Sequence, residues 1–159
     1  MPRSKPLLAA LLLIACGAAP LRAADEAHEA SMEILGDTLR ANRKALVDVN
    51  LALSDAEAGS FWPVYDRYQR DLAVVQERLL RVIEDYTANF GTMTDEKARS
   101  LVEEYLAVER DRAEIRRAYL APISEALPGR KVMRFYQIEN KIEAVLRYEL
   151  ARTIPVVEQ

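Results

Sequence analysis

Reactive side chains are scarce in this chain, and their scarcity limits the chemistry open to it. His28 is the single histidine and Cys16 the single cysteine. A di-iron carboxylate bundle draws on two Glu-x-x-His motifs, so one histidine excludes that centre. Structural zinc bound through cysteine and histidine fails for the same want of ligands. Carboxylates alone can hold calcium, but no EF-hand-like loop is present. A glycine-rich phosphate loop, a G-x-S-x-G elbow and a cysteine–histidine pair are all missing from the sequence. Acidic pairs such as Glu84-Asp85 and Glu103-Glu104 read as solvated helix faces. The expectation is a protein that is not an enzyme and uses no cofactor and no metal.

What remains is the chemistry of recognition. Glu139 falls inside an apolar helix face, flanked by Phe135, Ile142 and Leu146. A carboxylate there must be paired or desolvated at a cost. Its plain reading is a structural ion pair with an arginine from another helix; the sharper one is a switchable contact at an interface. Arg67, Arg70 and Arg81, with Val74 among them, share one side of a helix away from its apolar seam. They read either as a solvated charged face or as a stripe that holds an acidic or unfolded partner. Arg112 and Arg116 extend the same two readings to the charged middle of the next helix.

These residues are positioned by helices. Half of the 159 residues are hydrophobic and 30% are charged, with only five glycines, which favours long helices over a turn-rich β fold. The organising stretch is Ser54 to Tyr86. Phe61, Tyr65, Tyr68, Leu72, Val75, Leu79, Val82 and Tyr86 alternate at spacings of four and three, the seam of helix-on-helix packing. Ser54 with Glu57 predicts a capping box at its start. Pro63 predicts a kink near Gly59-Ser60. A second apolar stripe carries Trp62, Ala73 and Leu80, more than one hairpin partner covers, and predicts a homodimer.

A first helix is expected over Asp25 to Val49, with Ile34, Leu35, Leu39, Leu46 and Val49 inward and Arg40, Arg43 and Lys44 facing water. A third starts at the Thr94 cap and carries Ala98, Leu101, Val102, Tyr105, Leu106, Ile115, Tyr119 and Ile123 on its face. Its wholly charged centre, Glu109 to Glu114, predicts that it crosses open space or curves there. Pro122 ends or kinks it. A fourth helix spans Arg130 to about Arg152, and Pro155 stops it. The fold class is therefore all-α, about four helices in long, kinked antiparallel hairpins, curved overall.

Residues 1–23 read as a secretory signal, with Arg3 and Lys5 ahead of an apolar core and Pro20-Leu21-Arg22-Ala23 as the cleavage region. The apolar run is about nine residues, whereas a bilayer needs roughly 20. The remaining 24–159 form one all-helical domain. Leu13-Ile14-Ala15-Cys16 also resembles a lipobox, which would make Cys16 a lipidated N-terminus and the chain an outer-membrane lipoprotein. Cleavage after Ala23 removes three of the 22 basic residues and no acid, leaving 19 against 25. Such an acidic chain has no electrostatic footprint for nucleic acid.

Several blocks together carry a family resemblance. They are Leu53-Ser54-Asp55-Ala56-Glu57, Phe61-Trp62-Pro63-Val64-Tyr65, Met93-Thr94-Asp95-Glu96-Lys97, and Leu127-Pro128 through Phe135-Tyr136-Gln137-Ile138-Glu139-Asn140. In these the chain resembles the Spy/CpxP-like (LTXXQ) periplasmic proteins over most of residues 30–150, in a subgroup marked by FWPxY and FYQxEN. The resemblance implies a curved, dimeric helical hairpin in the periplasm. It also implies an ATP-independent chaperone or envelope-stress adaptor that binds unfolded or flexible envelope proteins. The alternative is a regulatory subunit dedicated to one membrane sensor or anti-sigma partner. Glu57 and Lys97 depart from the family's glutamine, and the acidic mature chain departs from its basic cradles.

Overall fold

In a computed structural model of the chain, the structure describes residues 38–157 except residue 40. The leader, Cys16, His28 and the expected first helix as far as residue 37 lie outside the described residues. Helices and turns account for the described chain, with no strand among its residues. Helix α1 is seen over 41–51 and at 38–39. It is followed by α2 (Asp55–Asn89), a 3-10 turn (Phe90–Thr92), α3 (Asp95–Ala118), α4 (Leu120–Ala126) and α5 (Gly129–Thr153). The all-α class and the antiparallel hairpins are as the sequence implies.

The ends of α2 and α3 follow from their caps. The Ser54 hydroxyl accepts from the Glu57 N–H at 3.4 Å, and Glu57 Oε2 accepts from the Ser54 N–H at 2.7 Å. Thr94 Oγ1 accepts from the Lys97 N–H at 3.2 Å. Each bond satisfies a backbone group that the first helical turn cannot pair itself. The α1–α2 connection turns at Ala52, whose φ of 47° lies in the left-handed region that alanine rarely adopts. Its carbonyl accepts from Lys131 Nζ at 2.9 Å, which ties this turn to α5.

Pro63 does not end α2, which continues as α-helix to Asn89. Gly59 and Pro63 both face solvent, so the Gly59 carbonyl that lacks a proline N–H is open to water. Pro122 is more consequential. It has no N–H for the Ala118 carbonyl and its ring crowds that group, and the helix breaks there. Tyr119, at φ −80° and ψ −5°, separates α3 from α4. The expected third helix is therefore two helices meeting at a bend.

Direction can be read from cross-helix pairs. Asp85–Lys97 and Arg78–Glu104, at 2.5 and 2.8 Å, make α2 and α3 antiparallel. Lys131–Glu57 at one end, and the Tyr86 hydroxyl donating to the Pro155 carbonyl at 2.5 Å at the other, make α5 parallel to α2. Lys44–Asp66 and Arg43–Glu139 make α1 antiparallel to both. The end nearest Ser54 is the base of the bundle.

The main core lies at that base. Val47 and Leu51 of α1, Phe61, Tyr65 and Tyr68 of α2, Ile123 of α4, and Phe135 and Ile142 of α5 are buried together. Phe135 is the hub. Its ring meets Phe61, Tyr65, Tyr68 and Tyr136 edge-on, at centroid distances of 5.4, 6.1, 5.8 and 5.3 Å. Aromatic edges and faces carry opposite partial charge, so these contacts add attraction to the burial itself. A second, smaller cluster higher up joins Val75, Leu79 and Val108, with Leu150 packed beside them.

Three expectations about faces are corrected. Val49, inward by its spacing on the first helix, is 80% exposed. Val102, Tyr105 and Leu106 were placed on the packed face of the third helix but stand 56%, 43% and 58% exposed, while Val108 is fully buried. The upper part of α3 meets α2 along one line, Leu101 to Val108, which leaves residues beside that line uncovered. The charged middle of α3 does not cross open space either. Asp111 and Arg112 are held against α2 and α5 by ion pairs.

Candidate functional site

Between α2 and α5, above the level at which α1 crosses them, runs a groove of about 790 Å³. Its apolar wall includes Leu72, Leu80, Leu146 and Leu150. Its lower end is closed by charges. Glu139, 2% exposed, accepts from Arg43 Nη2 at 2.6 Å and Nε at 3.3 Å, and from the Gln69 amide at 3.4 Å. The forked guanidinium thus reaches both carboxylate oxygens, the geometry that best repays burying them. The plain reading of Glu139 is the one the geometry matches, with Arg43 as partner. The expectation that Arg43 faces water is overturned, because α1 closes the lower end of the groove and turns that residue inward.

One turn higher the same pattern recurs. Arg112, which was expected to stand on an outer charged surface, is 6% exposed and bonded to Glu143 and to Gln76 Oε1. Arg147 bridges Glu109 at 2.6 Å and Glu143 at 2.8 Å. Burial pushes the Glu143 carboxyl up, but the Arg147 bond and the Arg112, Arg147 and Arg43 charges outweigh it and hold it below its ordinary value. Burial, then the Glu139 charge, push the Tyr65 and Tyr68 phenols up, so both remain neutral. Higher still, Glu149 is 6% exposed. Its Oε2 accepts from Arg152 at 3.1 Å, while its Oε1 is buried with no hydrogen-bond partner.

The outer stripe is different. Arg67, Arg70 and Arg81 are exposed, and none pairs with a carboxylate among the described residues. Val74, 60% exposed, lies on the same side. Arg67 and Arg70 both sit near the Tyr119 phenol, which donates to Asp71 Oδ2 at 2.6 Å. Arg116 is half-buried on the groove side, apart from the stripe, and its backbone carbonyl accepts from the Tyr136 hydroxyl at 2.8 Å. The structure thus brings Arg67, Arg70, Val74 and Arg81 together and places Arg112 in the interior.

Among the structural positions, Ser54 and Glu57 form the cap, and Glu57 also receives Lys131 Nζ at 2.6 Å. Trp62 is partly covered within its own chain. Lys44 of α1 lies over its ring, 5.0 Å from the centroid, and Phe61 and Tyr65 meet it edge-on. Ala73 and Leu80 of that stripe are exposed.

Residues that sequence reasoning passed over include Arg43, Gln76, Glu143 and Arg147. The signal for Arg43 was its place four residues after Leu39 and three before Leu46, on the helix stripe that packs inward. Glu143 and Arg147 follow Glu139 at successive spacings of four, a charged line within the α5 apolar face. Among the described residues no group of three or more histidine, cysteine, aspartate or glutamate side chains is placed to hold a metal ion. No described helix is long and apolar enough to cross a membrane. Compared with protein-family models, with curated proteins and with solved structures, the chain matches none.

Proposed function

We propose that this chain is a periplasmic, non-enzymatic protein-binding factor of the Spy/CpxP-like kind, a chaperone or envelope-stress adaptor that holds flexible envelope clients. The observation that carries the reading is the outer face of α2. Arg67, Arg70 and Arg81 lie exposed with no carboxylate on them among the described residues, and Val74 stands among them. Unpaired guanidinium groups attract acidic segments and stack on aromatic side chains. An exposed branched side chain between them adds apolar contact to the same weak hold. Such a surface grips many sequences loosely and needs no nucleotide. The reading of residues 1–23 as an export signal supports the periplasmic address.

The test is suppression of aggregation of a chemically unfolded client by the purified protein. Suppression at equimolar dose is expected, and it should weaken at least about threefold in Arg67→Glu/Arg70→Glu/Arg81→Glu, and at high salt, which screens exposed charge. Helical content should be unchanged in that variant. No suppression at equimolar or higher dose overturns the reading.

A second reading has its own observation. Val102, Tyr105 and Leu106, at spacings of three and one on α3, form an exposed apolar patch suited to a single partner helix. That favours a regulatory subunit bound to one membrane sensor, and an envelope pull-down would then return one stoichiometric partner instead of many clients.

A further inference from the structure

We infer that the outer face of α5 docks this protein on an anionic lipid surface. The inference goes beyond the proposed function and stands whether or not the chain holds clients. Its first support is the way α5 sorts its charges. The helix carries six basic residues and three carboxylates. All three carboxylates turn inward. Glu139 and Glu149 are 2% and 6% exposed, and Glu143 is held by Arg112 and Arg147. Arg130, Arg134 and Lys141 are left on the outside, exposed, and none pairs with a carboxylate among the described residues. A face of one sign thus stands on a chain whose acids outnumber its bases. Net charge alone would keep such a chain off an anionic surface, so a sorted face is what contact requires.

The second support is shape. Arg130, Arg134, Gln137, Lys141, Ala144 and Tyr148 follow at alternating spacings of four and three, and all are exposed. That spacing keeps them on one side of the helix. At 1.5 Å of rise per residue the line is about 27 Å long, with its three cations about 6 and 10 Å apart along it. None of the three lines the α2–α5 groove. A compact anion would meet them singly, whereas a plane of charged headgroups meets all of them together. The arginine stripe of α2 is different, because Asp71 and Glu77 are exposed on the same side of that helix and make it mixed in sign.

The third support is apolar. Met133 is 62% exposed and Tyr148 51%, one near each end of the basic line. A tyrosine ring with a polar tip suits the headgroup level of a bilayer, and a thioether side chain adapts to an irregular apolar boundary. The helix would lie flat, its cations on the headgroups and these two side chains between them. Arg67, Arg70 and Arg81 project from a different helix, so lipid and client take separate residues.

Vesicle flotation tests the inference on the exported protein bearing Cys16→Ser, so that no lipid anchor contributes. Vesicles of phosphatidylcholine with phosphatidylglycerol should bind at least about tenfold more protein at low salt than phosphatidylcholine alone, and added salt should release it. Arg130→Glu/Arg134→Glu/Lys141→Glu should abolish that preference, and the neutral set Arg130→Gln/Arg134→Gln/Lys141→Gln should weaken it, with helical content unchanged in both. A set on α3 that alters net charge equally, Arg99→Glu/Arg110→Glu/Arg117→Glu, should keep most of the binding. Equal binding to the two kinds of vesicle overturns the inference, as does an equal loss in the α3 set. Capture of polyglutamate by the α5 face without vesicle binding would assign that face to an acidic protein and overturn it as well.

Discussion

Arg43 and Glu139 show what a single pair does in this bundle. The Glu139 side chain is 2% exposed and the Arg43 side chain 21%, so each depends on the other for the solvation it gives up. Removing one partner strands a charge in the interior, which typically costs 3–5 kcal/mol, whereas replacing both with apolar residues of similar size is often neutral. Arg43→Met should therefore lower unfolding stability by about 3 kcal/mol, near the low end of that range because Arg43 keeps some contact with water. Arg43→Met/Glu139→Met should recover most of the loss. Urea midpoints of the two variants check this, and an unrescued double variant would show that packing, not charge, holds the site. Sequence made the need of Glu139 for a partner legible, since it sits among Phe135, Ile142 and Leu146. It did not identify the partner, because the separation of 96 positions from Arg43 to Glu139 is bridged only by folding.

At the scale of elements, Glu57 joins three helices at the base. It closes the α2 cap on Ser54 and receives Lys131 from α5, whose ammonium also holds the Ala52 carbonyl at the end of α1. The Lys131 bond first, then the Ser54 N–H, hold its carboxyl down to about 2 from an ordinary 4.5. The folded state thus favours the ionised carboxylate more than the unfolded chain does. Its contribution is fully present above pH 4.5 and is lost as pH falls toward 2. Asp111 and Glu143 are lowered as well and add loss in the same direction. Thermal melts of wild type and Glu57→Gln should differ near neutral pH and converge as the pH is taken down through that window. A gap that persists unchanged to pH 2 would refute the assignment. The cap was legible because it needs only residues three apart. Its coupling to Lys131 was not, for that residue arrives from 74 positions away.

For the whole molecule, the two cores are unequal. The base cluster draws on α1, α2, α4 and α5 and contains the ring hub, whereas the upper cluster centres on three buried residues. Burying an apolar side chain of this size contributes about 1.5–3 kcal/mol, so the base holds most of the stability. The tip, residues 84–98, is joined mainly by partly exposed contacts such as Lys97–Asp85 and the Tyr86–Phe90 ring pair. Local opening follows the density of buried contacts. Amide exchange should therefore be slowest over residues 61–68 and 132–142 and faster over 84–98. Uniform protection along α2 would show instead that the bundle opens as one unit.

Sequence by itself determined the helices, their caps and the α2 seam, because these depend on residues within a turn or two of one another. Periodicity also marked Phe61, Tyr65 and Tyr68 as core before any partner was known. Tertiary structure decided which charges are interior. Arg112 reads as part of a charged surface run from Glu109 to Glu114, yet Glu143 and Gln76 arrive from other helices and enclose it. It likewise decided which apolar residues stay uncovered, leaving Val102, Tyr105 and Leu106 beside a single line of contact with α2. Burial depends on the neighbour as much as on the residue. Neighbours dozens of positions distant leave no local pattern to read.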